Sequence, residues 1–175
     1  MSKRDVVVLG AARSAIGTFG GALADIEPAE LAGTVMKAAV ERSGVDPNAI
    51  NYVTVGNTIP TEARFPYVAR VASIQAGLSK ESVAMSLNRL CSSGLQAIAL
   101  AADAVASGRA DVVIAGGAES MSMIPMGGHR VAPNPSLLER YPDSYLGMGI
   151  TAELVAKKYG IDREQADAFA LGSHQ

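Results

Sequence analysis

The sequence predicts an α/β protein built on a mostly parallel sheet. Three observations carry this: short β-branched runs alternate with segments of helical spacing, glycine closes the helical segments, and 49% of the 175 residues are apolar against 18% charged. A chain of this length and composition can offset its ordering entropy by burial, as one domain or one domain plus part of another.

Asp5-Val6-Val7-Val8-Leu9-Gly10 reads as a strand buried on both faces. Pro28 opens a helix with Leu31, Val35 and Ala39 at helical spacing, which stops at Ser43-Gly44. Residues 51–57 supply a second strand, 66–76 a short helix closed by Gly77, and 83–87 a third strand. A helix over 91–107, closed by Gly108, leads to a fourth strand at 111–115. After Glu119 the composition shifts: four of the eight prolines and four of the seven methionines fall between residues 121 and 148. This places a boundary near Ser120, between a first domain of residues 1–120 and a second stretch of 121–175. That stretch is either an excursion carrying substrate contacts or an ordinary long loop. Two helices follow, 151–159 closed by Gly160 and one opened by Asp162-Arg163-Glu164-Gln165 with capping-box spacing. The second helix is expected to run on at Gln175, as in a chain that is a piece of something longer.

Charge and residue types exclude several classes of function. Fifteen Lys and Arg against 17 Asp and Glu leave a net charge of −2 with no basic run, which argues against nucleic acid as a partner. No segment approaches the ~18 consecutive apolar residues of a membrane helix, and the start runs into a strand-like segment rather than a signal-peptide core. The expectation is a soluble, cytoplasmic protein. One cysteine excludes an internal disulfide, and with two distant histidines, His129 and His174, no metal site is expected.

That cysteine, Cys91, lies in Ser86-Leu87-Asn88-Arg89-Leu90-Cys91-Ser92-Ser93-Gly94-Leu95-Gln96-Ala97, between a strand and the first turn of a helix. The residues that follow are apolar nearly all round, which predicts a buried, dry helix. Unpaired backbone N–H groups at a helix start favour a thiolate nucleophile, and the same groups can hold an oxyanion on a carbonyl under attack. A lone cysteine in an apolar stretch can equally be an inert core residue, and the strand–turn–helix placement brings the two readings level. Gly17-Thr18-Phe19-Gly20-Gly21 fits neither a dinucleotide fingerprint nor a phosphate loop and reads as a turn. His129, in a glycine-flanked loop with nothing to orient it, is not expected to be a catalytic base.

The stretch Asn88 to Ala97 resembles the nucleophile motif of the thiolases. Three further motifs, in order, share the resemblance: Arg13-Ser14-Ala15-Ile16-Gly17, Gly116-Gly117-Ala118-Glu119-Ser120-Met121-Ser122 and Met148-Gly149-Ile150-Thr151-Ala152-Glu153. The resemblance implies a thiolase-like fold, with most of the first βαβαβαββ half and the beginning of the inserted loop domain. It implies an acetyl-CoA C-acyltransferase, a 3-ketoacyl-CoA thiolase of fatty-acid β-oxidation or related degradation. Cys91 would form the acyl-enzyme, its backbone N–H would contribute to an oxyanion site, and Met148 would lie near the acyl and pantetheine end of the pocket. A gap-filling core methionine is the alternative for Met148.

Coenzyme A is implied as co-substrate with no tightly bound cofactor, 3-ketoacyl-CoA and acetyl-CoA as the other partners, and a homodimer or homotetramer for the full-length enzyme. The histidine that activates the nucleophile and the second cysteine that moves the α-proton belong to the family's C-terminal half and are absent here. The 175 residues alone are therefore expected to be inactive and to expose apolar surface. The biosynthetic acetoacetyl-CoA thiolases and the decarboxylating ketoacyl synthases are the enzyme alternatives, with Asn88-Arg89 and Gly94-Leu95-Gln96 favouring a thiolase. A non-catalytic interaction module that keeps the half-fold is the third.

Overall fold

A computed structural model describes residues 4–60 and 67–175. The chain forms two compact units, residues 1–130 and 131–175.

The first unit is three-layered. Strands β1 (Tyr52–Gly56), β2 (Val83–Leu87) and β3 (Val113–Gly117) form a parallel sheet in the order β2-β1-β3. Tyr52 stands in register with both Val83 and Val113, and Gly56 with both Leu87 and Gly117. Alternation along β1 sends Val53 and Val55 to one face and Thr54 and Gly56 to the other. The valine face packs into a core with helices α1 (Pro28–Ser43) and α2 (Val68–Gln75), through Met36, Val40, Val68 and Ala72. Helix α3 (Ser93–Ala106) lies against β1 and β3 on the opposite face. Being covered on both sides explains why β1 is buried on both faces from Val53 to Gly56, Thr54 included. The α1 helix stops where expected because Gly44 takes the left-handed conformation, φ +68°, that glycine adopts without steric cost.

Two expectations fail. Asp5–Gly10 is not a buried strand: Val7 and Val8 are 71% and 86% exposed. The residues flanking the segment are tied elsewhere: Arg4 N–H donates to Ala106 O at 3.5 Å, Arg4 Nη1 pairs with Asp111 Oδ1 at 2.6 Å, and Arg42 Nη1 donates to Ala11 O at 2.9 Å. A strand needs a neighbour for its backbone groups, and among the described residues none runs beside this one. Nor is α3 buried all round. Its alanines 97, 101 and 104 are buried, while Leu95 and Ile98 are 72% and 52% exposed. Small side chains let the helix sit close to the sheet, and the larger ones point away from it. The remaining α-helices and strands of this unit fall within two residues of expectation, save that Pro66, the expected start of α2, lies outside the described residues, and a 3-10 turn at Pro47–Ala49 was not expected.

Residues 121–130 belong to the first unit, beyond the boundary expected near Ser120. Ile124 anchors them: it is 1% exposed within the same core as Val53 and Val55.

The second unit holds α4 (Pro135–Arg140), a 3-10 turn at Pro142–Tyr145, α5 (Met148–Tyr159) and α6 (Arg163–His174). It has no buried side chain, and local capping holds its helices. Asn134 Oδ1 accepts from the N–H of Leu137, and Asp162 and Gln165 form the full capping box, at 2.9 and 3.0 Å. α6 runs to His174, the residue before the last one given. No helix among the described residues is long and apolar enough to cross a membrane.

Ile124→Ala is expected to destabilise the first unit by about 2–5 kcal/mol, the range for a large-to-small core change, as measured by urea unfolding. A loss below about 0.5 kcal/mol would show that residues 121–130 do not close the core.

Candidate active site

The C-terminal ends of the three strands converge beside the start of α3, where open parallel sheets place their ligand sites. They frame a shallow depression of about 220 Å³ lined by Gly56, Thr58, Cys91, Gly94, Gly117 and Glu119, among others. Cys91 is exposed there, which corrects the expectation of a dry site.

The depression exists because glycine ends both β1 and β3. A Cβ at Gly56 would stand 2.5 Å from Ser93 C and 2.7 Å from Gly94 N, inside any permissible contact. One at Gly117 would stand 3.3 Å from both Gly56 O and Gly94 Cα. The backbone of α3 thus begins directly on the strand ends, with no side chain between them.

Cys91 follows a strained turn. Leu90 is the one non-glycine residue with positive φ among the described residues, at +49°. Such a conformation costs roughly 1–3 kcal/mol and persists only where the surroundings over-determine it. Here they do. The Leu90 carbonyl accepts from Ser93 Oγ at 2.6 Å, Ser93 N–H at 3.0 Å and Thr58 Oγ1 at 3.1 Å. Its N–H donates to Asn88 Oδ1 at 2.8 Å, and Asn88 Nδ2 donates to Thr58 O at 2.7 Å. Ser93, 3% exposed, also accepts from Arg89 N–H at 2.9 Å. Arg89 reaches along the helix to Gln96 through a side-chain hydrogen bond.

Behind the turn, Glu119 grips β1's exit. Its Oε2 accepts from Thr58 N–H at 2.6 Å and its Oε1 from Asn57 Nδ2 at 3.0 Å. Asn57 also donates to Ala118 O at 3.0 Å.

The chemistry this permits follows from what is left unbonded. Among the described residues, the N–H groups of Cys91, Gly94 and Leu95 donate to no protein group. An accessible thiol beside free N–H donors at a helix start suits nucleophilic attack on a carbonyl and stabilisation of the oxyanion that forms. Neither histidine lines the depression, and no metal-holding group of His, Cys, Asp or Glu occurs among the described residues.

Of the two residues singled out in the sequence, the structure places Cys91 in this depression. Met148 belongs to the other unit, where it opens α5 and is 72% exposed, so it is not a core methionine there. The supporting polar residues Asn57, Thr58 and Glu119 carried no role in the sequence reading. Their signal was positional: Asn57 directly follows β1, Asn88 directly follows β2, and Glu119 lies two residues past β3.

Known proteins resemble the chain over its whole length. A family model described as the N-terminal domain of thiolase matches residues 6–175. Beta-ketothiolase BktB of Cupriavidus necator is 43% identical, over 98% of this chain and 46% of its own length. The crystal structure of the Bacillus anthracis acetyl-CoA acetyltransferase superimposes with a TM-score of 0.83 at 37% identity, covering 99% of this chain and 46% of that one. Human mitochondrial 3-ketoacyl-CoA thiolase in complex with CoA gives 0.82 at 33% identity, covering 96% and 46%. The chain spans about half the length of the relatives it matches.

Gly56→Ala is expected to cost about 1–3 kcal/mol of stability as overpacking and to displace the start of α3. Urea unfolding measures the first effect and iodoacetamide labelling of Cys91 the second. Unchanged stability and labelling together would show that the close approach of α3 to β1 is not needed.

Proposed function

The chain belongs to the thiolase family, and from that premise we propose that it supplies the nucleophile of an acetyl-CoA C-acyltransferase. The observation that supports this most directly is Cys91, exposed behind an over-determined left-handed turn, with N–H groups beside it that donate to no described residue.

The Cys91 thiolate attacks the 3-keto carbon of a 3-ketoacyl-CoA, forming a carbon–sulfur bond while the carbonyl oxygen takes the negative charge. That oxyanion is held by backbone N–H, with the Cys91 N–H contributing. Its collapse breaks the bond between C2 and C3; the electron pair leaves on C2 and is protonated to give acetyl-CoA, and the acyl group stays on sulfur as a thioester. Coenzyme A then attacks the thioester, its thiol proton passing to a base, and the shortened acyl-CoA leaves with the cysteine restored. Dividing the reaction into two thioester steps is covalent catalysis with ping-pong kinetics. The proton transfers fall to the family's histidine and second cysteine, which belong to its C-terminal half.

Met148 matches a family methionine near the acyl and pantetheine end of the substrate site, and the subtype is degradative. Biosynthetic members of the family carry a histidine immediately before the methionine, where this chain has Gly147. Space at that wall favours longer acyl chains, each buried methylene contributing about 0.8 kcal/mol.

Incubating the full-length protein with a 3-ketoacyl-CoA should leave an acyl adduct on Cys91, detected by mass spectrometry, and Cys91→Ala should abolish it with a loss of kcat of about 10⁴-fold or more. An adduct on another residue, or near-normal turnover of Cys91→Ala, would overturn the reading. Specificity constants across 3-ketoacyl chain lengths should rise beyond acetoacetyl-CoA. A clear acetoacetyl-CoA optimum would make the enzyme biosynthetic in type.

A further inference from the structure

Glu119 is half-buried at the exit of β3, and both of its carboxylate oxygens face donors from the exit of β1. The donors differ in kind. Asn57 Nδ2 belongs to a side chain 3% exposed, and the Thr58 N–H belongs to the backbone. Asn57 turns its amide nitrogen to two acceptors, Glu119 Oε1 and Ala118 O, and in doing so leaves its own Oδ1 buried without a partner. A buried amide oxygen with no donor is costly, and it is tolerated where the opposite end of the amide is held by an ionised acceptor. Thr58, fixed through its N–H, passes the constraint on. Its hydroxyl donates to Leu90 O and its carbonyl accepts from Asn88 Nδ2, whose Oδ1 accepts from Leu90 N–H. Both backbone polar groups of the left-handed Leu90 are thereby tied to the residue that Glu119 grips, and the next residue is Cys91.

We propose that Glu119 is a positioning residue for Cys91, acting through Thr58 and Asn88 to hold the Leu90 turn in its left-handed conformation. The role concerns the thiol's placement and so extends to the acyl transfer proposed above, on which its catalytic consequence rests. It requires a carboxylate. A glutamine presents one oxygen and one NH2 group, and since both partners are donors, one of them would face another donor.

In the full-length protein, Glu119→Gln is expected to lower the rate constant, and not merely the extent, of Cys91 alkylation by iodoacetamide about fivefold or more. It should also lower kcat about tenfold or more with KM within about threefold, as expected when reacting groups are misplaced. Glu119→Asp keeps both acceptors and should recover part of each loss, whereas a general loss of folded protein would lower amplitudes and leave rate constants unchanged. Alkylation and kcat of Glu119→Gln within twofold of the parent would overturn the proposal, as would Glu119→Asp and Glu119→Gln being equally slow. If Glu119→Gln does not fold, Thr58→Val decides. It removes only the hydroxyl bond to Leu90 O, and slowed alkylation supports the relay while unchanged alkylation refutes it. A parent protein that lacks thiolytic turnover, with alkylation still slowed by Glu119→Gln, would count against the proposed reaction and leave the positioning role standing.

Discussion

The closeness of α3 to the sheet is the constraint on which the rest of the first unit depends. With no side chain at Gly56 or Gly117, the first turn of α3 begins on the strand ends themselves, and a single Cβ at position 56 would fall 2.5 Å from the Ser93 backbone carbon. The alanines at 97, 101 and 104 continue that contact along the helix. The loop from β2 into α3 must then turn sharply within a few residues. Leu90 absorbs the turn at φ +49°, and Cys91 comes out beside the helix start.

A turn of that kind holds only if polar groups hold it, and here they come from all three strand exits. Asn88 after β2, Thr58 after β1 and Glu119 after β3 form one connected set of hydrogen bonds around the Leu90 backbone. The set has costs: Asn57 Oδ1 is buried unpaired beside it, and Thr54 Oγ1 is buried unpaired on the α3 face of β1. Buried polar atoms without partners are rare in folded proteins, so the unpaired Asn57 Oδ1 marks a region shaped by placement of a group more than by stability. The N–H groups at the start of α3 that find no acceptor among the described residues fit the same pattern, since these are the donors a developing oxyanion would need.

The second unit follows a different physical rule. None of its side chains is buried, and its helices are defined by caps: Asn134 on α4, the Asp162–Gln165 box on α6, and Gly160 at φ +66° ending α5. Capping specifies where a helix begins and ends from local residues alone, which is why residues 151–175 were readable as two helices. The short α4 was not. Its six residues carry too little periodicity to register against the prolines around it.

Local and periodic features were determined by the sequence itself: the α/β alternation, the glycine-closed helices and the placement of Cys91 between a strand and a helix. Each depends on residues near one another in the chain, where propensity, capping and spacing act directly. Tertiary structure decided the rest. Val6–Leu9 has the composition of a buried strand, yet pairing requires a neighbour that composition does not name, and the segment lies exposed. The run after Cys91 is apolar on every side, yet which side is covered depends on the sheet beneath it, and only the alanine side is. Glu119 looked like one residue of a motif because its partners, Asn57 and Thr58, lie more than sixty positions away. A carboxylate's role is set by the donors that reach it, and only folding brings those donors within hydrogen-bonding distance.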